Sequence, residues 1–450
     1  MASINRKPAV APVFTSEGGR ASHLTPLEQL RRLTLACLLF ERNFYVDGES
    51  IADAITAAVA RVAPQDAADV AIEARERQHL RHAPLWIVRA MAALPSHRPL
   101  VAATLARVIQ RPDEIGEFLA LYWHPKRQPL AASVKKGLAR AFGKFNEYSL
   151  AKYDRASAAV RLRDVLFLTH AKPRDAEQAD LWKRLVDGKL TVPDTWETQL
   201  SAGADKRATF ERLMSERKLG GLALLRNMRN MQESGVPRDA VKSGMETANF
   251  DRVLPFRFVA AARVVPLWED LLDEPMLRAC STRPRLPGRT ILLVDVSGSM
   301  NAKLSTKSDL SRLDAASALA VIVRELADEA AIYTFSQALA TIPPRRGFAL
   351  IDAVKRSQPH SSTYLAGAIT ALAPTMNAED RFIVITDEQS HDGIAVAPTA
   401  NSYVVNVASS QNGVGYRNAW RHIDGWSESI VDFIVASEGV AELEVAEIDQ

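Results

Sequence analysis

Apolar residues recur at helical spacing through most of the first 275 residues. In Ser50–Ala63, Ile51, Ile55, Val59 and Val62 share one helix face, Ser50 is placed to cap the helix, and Pro64 stops it. Similar spacing predicts helices at Leu85–Leu94, Leu100–Ile109, Leu130–Phe142, Leu213–Gln232 and Asp251–Val265. Because strand-like alternation is nearly absent here, we expect short helices stacked in pairs as an α-solenoid of HEAT-like repeats. No repeat of fixed period is found, so this expectation depends on helix density alone.

The pattern changes after Ser281–Arg289, a basic linker that contains two prolines. Beyond it, short β-branched runs alternate with helical segments, which is typical of a doubly wound parallel sheet. The predicted strands are Thr290–Val294, Ala331–Phe335, Phe382–Thr386 and Ser402–Val407, and the predicted helices are Leu313–Glu329, Phe348–Arg356, Leu365–Leu372 and a short one near Trp420–Ile423. We therefore predict a flexible tail at 1–20, a helical domain at 21–285 and an α/β domain at 286–450.

Composition excludes several classes of protein. No apolar run reaches the roughly 20 residues that cross a bilayer, and the first residues lack the apolar core of a secretion signal. Two cysteines, Cys37 and Cys280, are too few for a disulfide framework, so we expect a cytoplasmic protein. Of the 56 Lys+Arg and 53 Asp+Glu, 11 and 20 lie in 291–450, leaving 45 and 33 in 1–290. The basic part favours a polyanionic partner and the acidic part a cation.

The most specific motif is Ile291–Met300, where an apolar strand ends at Asp295 and turns through Ser297 and Ser299. A second apolar strand ends at Asp387, and Thr363 lies in a loop between them. Ligands bind beyond the carboxyl ends of strands in open α/β sheets, and oxygen donors suit a hard cation such as Mg²⁺ or another divalent ion. Two carboxylates and three hydroxyls would leave one coordination position open for water or a partner's acidic group.

Three alternatives compete at this motif. The polar side chains could merely cap turns and helices at a buried strand end. An aspartyl phosphatase would need a second Asp as general acid at the position of Ser297. A serine hydrolase would need glycines at the positions of Asp295 and Ser299. Catalysis is therefore disfavoured, and we expect a protein that is not an enzyme.

This pattern resembles the metal-ion-dependent adhesion site of von Willebrand factor A domains. The resemblance covers roughly 288–450 and implies a Rossmann-like domain. It implies that Ser297, Ser299 and Thr363 contact the metal directly, and that Asp295 and Asp387 act mainly through water.

Positive charge in the first part is concentrated between Lys126 and Arg174. Lys136, Arg140 and Lys144 fall at i, i+4 and i+8 on one predicted helix face, beside an apolar stripe that can pack inward. Such a stripe suits a phosphate backbone, although a solvated lysine-rich face is the plain alternative. His170 and Lys172 could contact phosphates or unstacked bases, or could cap a helix end. No zinc-finger or helix-turn-helix signature supports sequence-specific reading of duplex DNA.

Several passages in the first part resemble the TROVE module of the Ro autoantigen family of RNA-binding proteins. They are Thr25–Arg32, Lys152-Tyr153 followed by Arg163–Pro173, Leu222–Met228 and Leu254–Phe258. The resemblance implies a ring of HEAT-like repeats closed by the A domain, with small noncoding Y RNAs bound on a basic outer surface. It also implies that single-stranded ends of misfolded RNAs enter a central hole. Arg161-Leu-Arg-Asp164 stands where vertebrate members have Ser-His-Lys-Asp, so Arg161 or Arg163 could replace a histidine contact.

Three functions follow as hypotheses. The favoured one is a non-catalytic ribonucleoprotein component for RNA quality control or processing, whose A domain recruits a protein partner such as an exoribonuclease. The predicted RNA-binding residues are Lys135, Lys136, Arg140, Lys144, Lys152, Arg161, Arg163, His170 and Lys172. The alternatives are a scaffold that binds only proteins and a Mg²⁺-dependent phosphatase or nuclease that uses Asp295.

Overall fold

The computed structural model describes residues 13–14, 20–21, 24–35, 48–77, 79–154, 158, 160–251, 253, 255–281, 285–304, 310–408, 413–415, 419–424, 430–431, 434–435 and 438. The chain divides into two compact units. The helical unit contains Pro26–Phe40 and Gly48–Ala279, and the α/β unit contains Cys280–Gln450 with Met1–Thr25 and Glu41–Asp47. Most of the predicted tail, 1–20, lies outside the described residues, but strand β1 (Val13–Phe14) pairs antiparallel with β2 (Arg20–Ala21).

Short α-helices make up the first part of the chain. They are α1 Pro26–Leu35, α2 Gly48–Val59, α3 Pro64–Glu76, α4 His82–Ala93, α5 Arg98–Val108, α6 Pro112–Tyr122, α7 Ala132–Phe142, α8 Glu147–Tyr153, α9 Leu162–Thr169, α10 Ala176–Val186, α11 Trp196–Ser201, α12 Lys206–Ser215, α13 Gly221–Arg226, α14 Met228–Glu233, α15 Arg238–Thr247, α16 Pro255–Val264 and α17 Asp270–Ser281. From α1 to α10, contacts connect helices one, two or at most three positions apart in the chain. Neighbour-to-neighbour packing of this kind is typical of stacked helical repeats.

A buried ion pair joins α3 to α6. Arg75 Nη2 lies 2.7 Å from Glu114 Oε1, and Arg75 Nε donates to the carbonyl of Val108 at 3.0 Å. The second carboxylate oxygen of Glu114 accepts the backbone N–H groups of Gln110 and Arg111, at 2.8 and 3.0 Å. The pair therefore satisfies donors at the start of α6, because the first N–H groups of a helix have no partner within it.

The helix predicted at Leu213–Gln232 is wrong as a single element. The structure has α12, α13 and α14 in its place, with Arg217 in the left-handed region at φ 55°. Gly220 then adopts extended backbone before α13. The apolar spacing continues across this break, because each short helix buries its own face, and so the break cannot be seen from periodicity.

The start of α13 tolerates no side chain. A Cβ at Gly221 would lie 2.5 Å from the Asn249 carbonyl oxygen and 2.5 Å from the Phe250 ring, whereas one at Gly220 would meet nothing within 4 Å. We expect Gly221→Ala to lower the free energy of unfolding by about 1–3 kcal/mol, through overpacking. Gly220→Ala is the matched control and should leave the urea unfolding midpoint near that of the wild type. Equal midpoints for the two variants would contradict this packing.

The α/β unit is built on one six-stranded sheet. Its strands are β3 Leu286–Asp295, β4 Ala327–Phe335, β5 Leu339–Thr341, β6 Arg381–Thr386, β7 Asn401–Asn406 and β8 Arg421–Asp424, and its helices are α18 Arg312–Leu326, α19 Gly347–Lys355 and α20 Leu365–Leu372. The order is β5-β4-β3-β6-β7-β8, parallel except for the antiparallel edge strand β5. The predicted strand–helix alternation is thus confirmed, as a mixed sheet. Ile291 and Leu293 of the central strand pack in one core with Phe382 and Leu365.

Two elements of this unit differ from the prediction. The helix expected at Leu313–Glu329 ends at Leu326, and the chain continues directly as β4 from Ala327. The short helix expected near Trp420–Ile423 is instead β8, which pairs parallel with β7, Tyr403 lying opposite Arg421. Both differences have the same cause: a neighbouring strand supplies backbone partners that the local pattern does not reveal.

Candidate functional sites

The two predicted metal carboxylates lie at the carboxyl ends of neighbouring strands of the sheet. Asp295 ends β3, Asp387 follows β6, and these two strands are neighbours. The chain leaves β3 toward β4 on one side and leaves β6 toward β7 on the other, and such a divergence is the position where open α/β sheets form a crevice. Asp295, Asp387 and Ser297 are fully buried, and Thr363 is 2% exposed.

Hydrogen bonds join the three loops that carry these residues. The Gly298 N–H donates to the Ser361 carbonyl at 2.9 Å, which holds the Ser297–Ser299 turn against the loop of Thr363. The His391 N–H donates to the Thr363 carbonyl at 2.9 Å, which connects that loop to the segment after β6. The structure therefore gathers the loops of all five predicted metal residues.

Asp295 is held tightly within this cluster. Its Oδ1 accepts the Ser297 N–H at 2.8 Å, and its Oδ2 accepts the Thr386 hydroxyl at 2.6 Å. Burial, followed by repulsion from Asp387, raises the pKa of Asp295 to about 7. Without a cation, this site therefore favours the protonated carboxyl up to neutral pH.

Sequence reasoning missed two residues that hold the carboxylates. Thr386 is the last residue of β6, and its position beside Asp387 was the available signal. Arg312, at the start of α18, places Nη1 3.0 Å from Asp387 Oδ2, and both side chains are almost completely buried. No sequence signal pointed to Arg312, which lies 75 positions from its partner.

The residues present fit a hard divalent cation. The Ser297 and Ser299 hydroxyl oxygens lie 3.2 Å apart, close to the about 3 Å between adjacent ligands of an octahedral Mg²⁺. Within the described part of the chain, no group of three or more His, Cys, Asp or Glu is placed to bind a metal. Hydroxyl oxygens would therefore have to supply most of the metal ligands. Asp295 would balance the charge of the ion without being one of its main ligands.

The predicted basic stripe is shorter than expected. Lys136 and Arg140 are exposed on α7, and Lys135 is half-buried beside them. Helix α7 ends at Phe142, and the Lys144 ammonium beyond it donates to the carbonyls of Ala106 and Ile109 at the end of α5. Partial desolvation of this ammonium lowers the pKa of Lys144, although the residue as a whole is exposed. Lys144 therefore has a structural role as a helix cap, which its sequence spacing concealed.

The other predicted RNA-binding residues differ in how their charge is compensated. Arg161 lies 3.4 Å from Asp154 and Arg163 3.7 Å from Asp164, whereas Lys152 lies over the Tyr153 ring at 5.9 Å. His170 and Lys172 are exposed after α9, with His170 in the left-handed region at φ 52°. Among the described residues, Lys136, Arg140 and Lys172 take part in no ion pair. These three are the best candidates for phosphate contacts.

The fold and these sites define a class of protein: stacked short helices with an exposed cationic face, followed by a mixed α/β unit with an oxygen-rich crevice. Residues 170–282 match the family model described as the TROVE domain. The crystal structure of the Deinococcus radiodurans Ro (Rsr) protein aligns with a TM-score of 0.58 at 20% identity, over 92% of this chain and 99% of that one. Residues 170–282 are therefore similar to a TROVE domain, and the chain shares the fold of that Ro protein.

Similarity also extends to two curated relatives. Telomerase protein component 1 of Mus musculus is 22% identical over 392 residues, which covers 65% of this chain. The Rattus norvegicus protein of the same name is 21% identical over 328 residues, covering 53% of this chain. The matches span only 15% and 12% of those proteins. In the part of the chain that the structure describes, no helix has the length and apolarity to span a membrane.

Proposed function

We propose that this protein binds structured noncoding RNA through the exposed cations of its helical unit, as a ribonucleoprotein component in RNA quality control or processing. The observation that carries the proposal is that Lys136, Arg140 and Lys172 are exposed without ion-pair partners among the described residues, in a chain that matches the TROVE domain model over 170–282. Unpaired cations gain by releasing the counterions that surround a phosphate backbone. Protein side chains cannot read bases in the deep, narrow major groove of an RNA helix. Contacts to its shape and to its phosphates are therefore enough for binding.

The finer predictions belong to this proposal. We infer that the helical unit is a HEAT-like solenoid, that its ligands are Y-like RNAs, and that it accepts single-stranded or misfolded RNA ends. We also infer that the α/β unit is a von Willebrand A domain with no catalytic activity of its own. Support comes from neighbour-to-neighbour helix packing in the first unit and the Asp-Ser-Ser, Thr, Asp arrangement in the second.

The crevice at the carboxyl edge of the sheet is proposed to bind Mg²⁺ and, through it, a protein partner such as an exoribonuclease. Ser297, Ser299 and Thr363 would hold the ion, with Asp295 and Asp387 balancing its charge. The bound cation would supply one open position for an acidic side chain of the partner. Arg312 compensates part of the charge of Asp387, which leaves the cluster less anionic than its two carboxylates suggest.

The test of RNA binding uses the full chain. RNA that copurifies with the native protein is sequenced, and the affinity for the recovered RNA is measured between 50 and about 300 mM salt. With three phosphate contacts we expect log K to fall with log salt at a slope of about −2 or steeper. Salt-independent binding, or a protein that is free of RNA and gives no gel shift at low salt, would contradict the proposal and favour a scaffold that binds only proteins.

A further inference from the structure

A groove of about 270 Å³ lies in the α/β unit along the outer side of strand β4. Its walls come from the end of α18, from β4 and from the segment that follows β5, and they include Arg324, Asp328, Ala330, Ile342, Pro343 and Arg345. Asp295 lies opposite Phe335, at the carboxyl end of β4. The groove lies toward the amino end of the same strand, so it is separate from the proposed metal site.

The groove exists because β5 covers only part of β4. Strand β4 has nine residues, but β5 pairs only with Tyr333–Phe335. One further hydrogen bond, from the Ile342 N–H to the Ile332 carbonyl at 2.8 Å, continues the pairing. Pro343 and Pro344 then end it, because proline has no N–H to donate. Within the described residues, the amino-terminal half of β4 therefore has no strand on its outer side.

The alternation of the strand fixes the direction of its backbone groups. Because the Ile332 carbonyl faces the β5 side, the N–H and C=O groups of Ala330 and Asp328 face that side too. The intervening positions face β3, as the Phe335 carbonyl does when it accepts the Val296 N–H at 2.9 Å. Strand donors and acceptors that lack a neighbouring strand are a template for an additional strand.

The charges around the groove are mainly positive. Arg345 is exposed and takes part in no ion pair among the described residues. Arg324 lies 3.6 Å from Glu325, which is beyond hydrogen-bond distance. Asp328 accepts a hydrogen bond from Arg285 at 3.2 Å, so the charge of this carboxylate is already compensated. The groove therefore favours an occupant that carries carboxylates.

We propose that this groove binds an extended acidic segment of a partner protein, which adds a strand to the open side of β4. The segment forms backbone hydrogen bonds with Asp328 and Ala330, and its carboxylates contact Arg324 and Arg345. In strand addition the main chain supplies affinity, and side-chain contacts select the partner. The inference goes beyond the proposed function, because this docking surface needs neither RNA nor a metal ion.

The test measures binding of a fluorescein-labelled peptide to the full chain by fluorescence anisotropy, in EDTA and without RNA. The peptide has about eight residues, a usual strand length, and alternates Glu with Val. A second peptide carries methyl groups on the backbone nitrogens of one edge, which removes the donors and keeps the charges. A third has Lys in place of Glu. We expect the unmodified peptide to bind about 10-fold more tightly than either of the others.

Two variants test the backbone and the charge separately. Ala330→Pro removes an N–H that faces the groove and keeps the pairing with β3, because proline is tolerated on the open side of an edge strand. Arg345→Glu reverses the unpaired charge. Each should weaken binding of the unmodified peptide about 5- to 30-fold. The matched control is Arg356→Glu, which makes the same charge change at an exposed side chain just after α19, outside the groove, and should keep the wild-type affinity.

Equal binding of the methylated and unmodified peptides would overturn strand addition, because charge alone would then attract the segment. Wild-type affinity in Arg345→Glu would overturn the proposed selection of acidic partners. If Ala330→Pro disturbs the sheet, the comparison of the two peptides decides, since it uses the wild-type chain. Self-association of the chain that competes with the peptide would assign the open edge to a second copy and overturn the proposal.

Discussion

Replacing Lys136 and Arg140 together by glutamate should weaken RNA binding about 50-fold at 0.1 M salt. Both side chains are exposed on α7, and each phosphate contact contributes about 0.7–0.9 to the slope of log K against log salt. Two lost contacts should therefore lower the slope by about 1.4–1.8, and the introduced carboxylates add repulsion. Affinity measured against salt concentration gives both numbers in one titration.

The choice of residues follows from the structure. Lys144 completes the same spacing in the sequence, but its ammonium caps α5, so a change there would confuse loss of binding with loss of stability. The matched control is Lys206→Glu with Lys242→Glu, which makes the same charge change at two exposed positions of the helical unit outside 126–174. If the control weakens binding as much as the test variant, only net charge matters and the proposed face on α7 is wrong.

Mg²⁺ should stabilise the wild-type protein by about 2.7 kcal/mol at a concentration one hundred times its dissociation constant. Ser297→Ala with Thr363→Ala should abolish this effect, because those hydroxyls are proposed to hold the ion. The measurement is the thermal unfolding midpoint of the full chain in Mg²⁺ and in EDTA. Ser357→Ala removes a hydroxyl elsewhere in the α/β unit, where it bonds Thr334, and should keep the shift. A shift retained in the double variant would place the ion elsewhere.

The same effect should depend on pH in a defined direction. Because the folded pKa of Asp295 is raised from 3.8 to about 7, the metal-free folded chain keeps a proton that the unfolded chain has released. That proton stabilises the metal-free fold at low pH, and the contribution is lost as pH rises through about 7. Mg²⁺ competes with this proton, so its stabilising effect should be larger at pH 8 than at pH 6. An equal shift at both values would show that Asp295 does not balance the charge of the ion.

Local sequence patterns predicted those elements whose signal is contained within one element. Helix α2 follows from apolar spacing on one buried face, and the central strands follow from continuous apolar runs, because both faces of those strands are buried. Asp295, Ser297 and Asp387 could be chosen because a polar residue directly after a buried strand must emerge at the sheet edge. The predictions that failed depended on partners elsewhere in the chain. Strand β8 needs β7 beside it, and the break after α12 is set by the packing of three short helices.

By itself, the sequence determined a helical part followed by an α/β part, the opposite charge of the two, and five oxygen-donor residues, four of them at or just after the ends of two strands. Only the tertiary structure decided which charges are available. It paired Arg312 with Asp387 and committed Lys144 to the end of α5. It also left the outer side of β4 open beyond the short strand β5. The physical reason is that charge and periodicity are properties of single residues and short segments. Whether a charge is paired or buried depends instead on which distant side chains the packing places within a few ångströms of it.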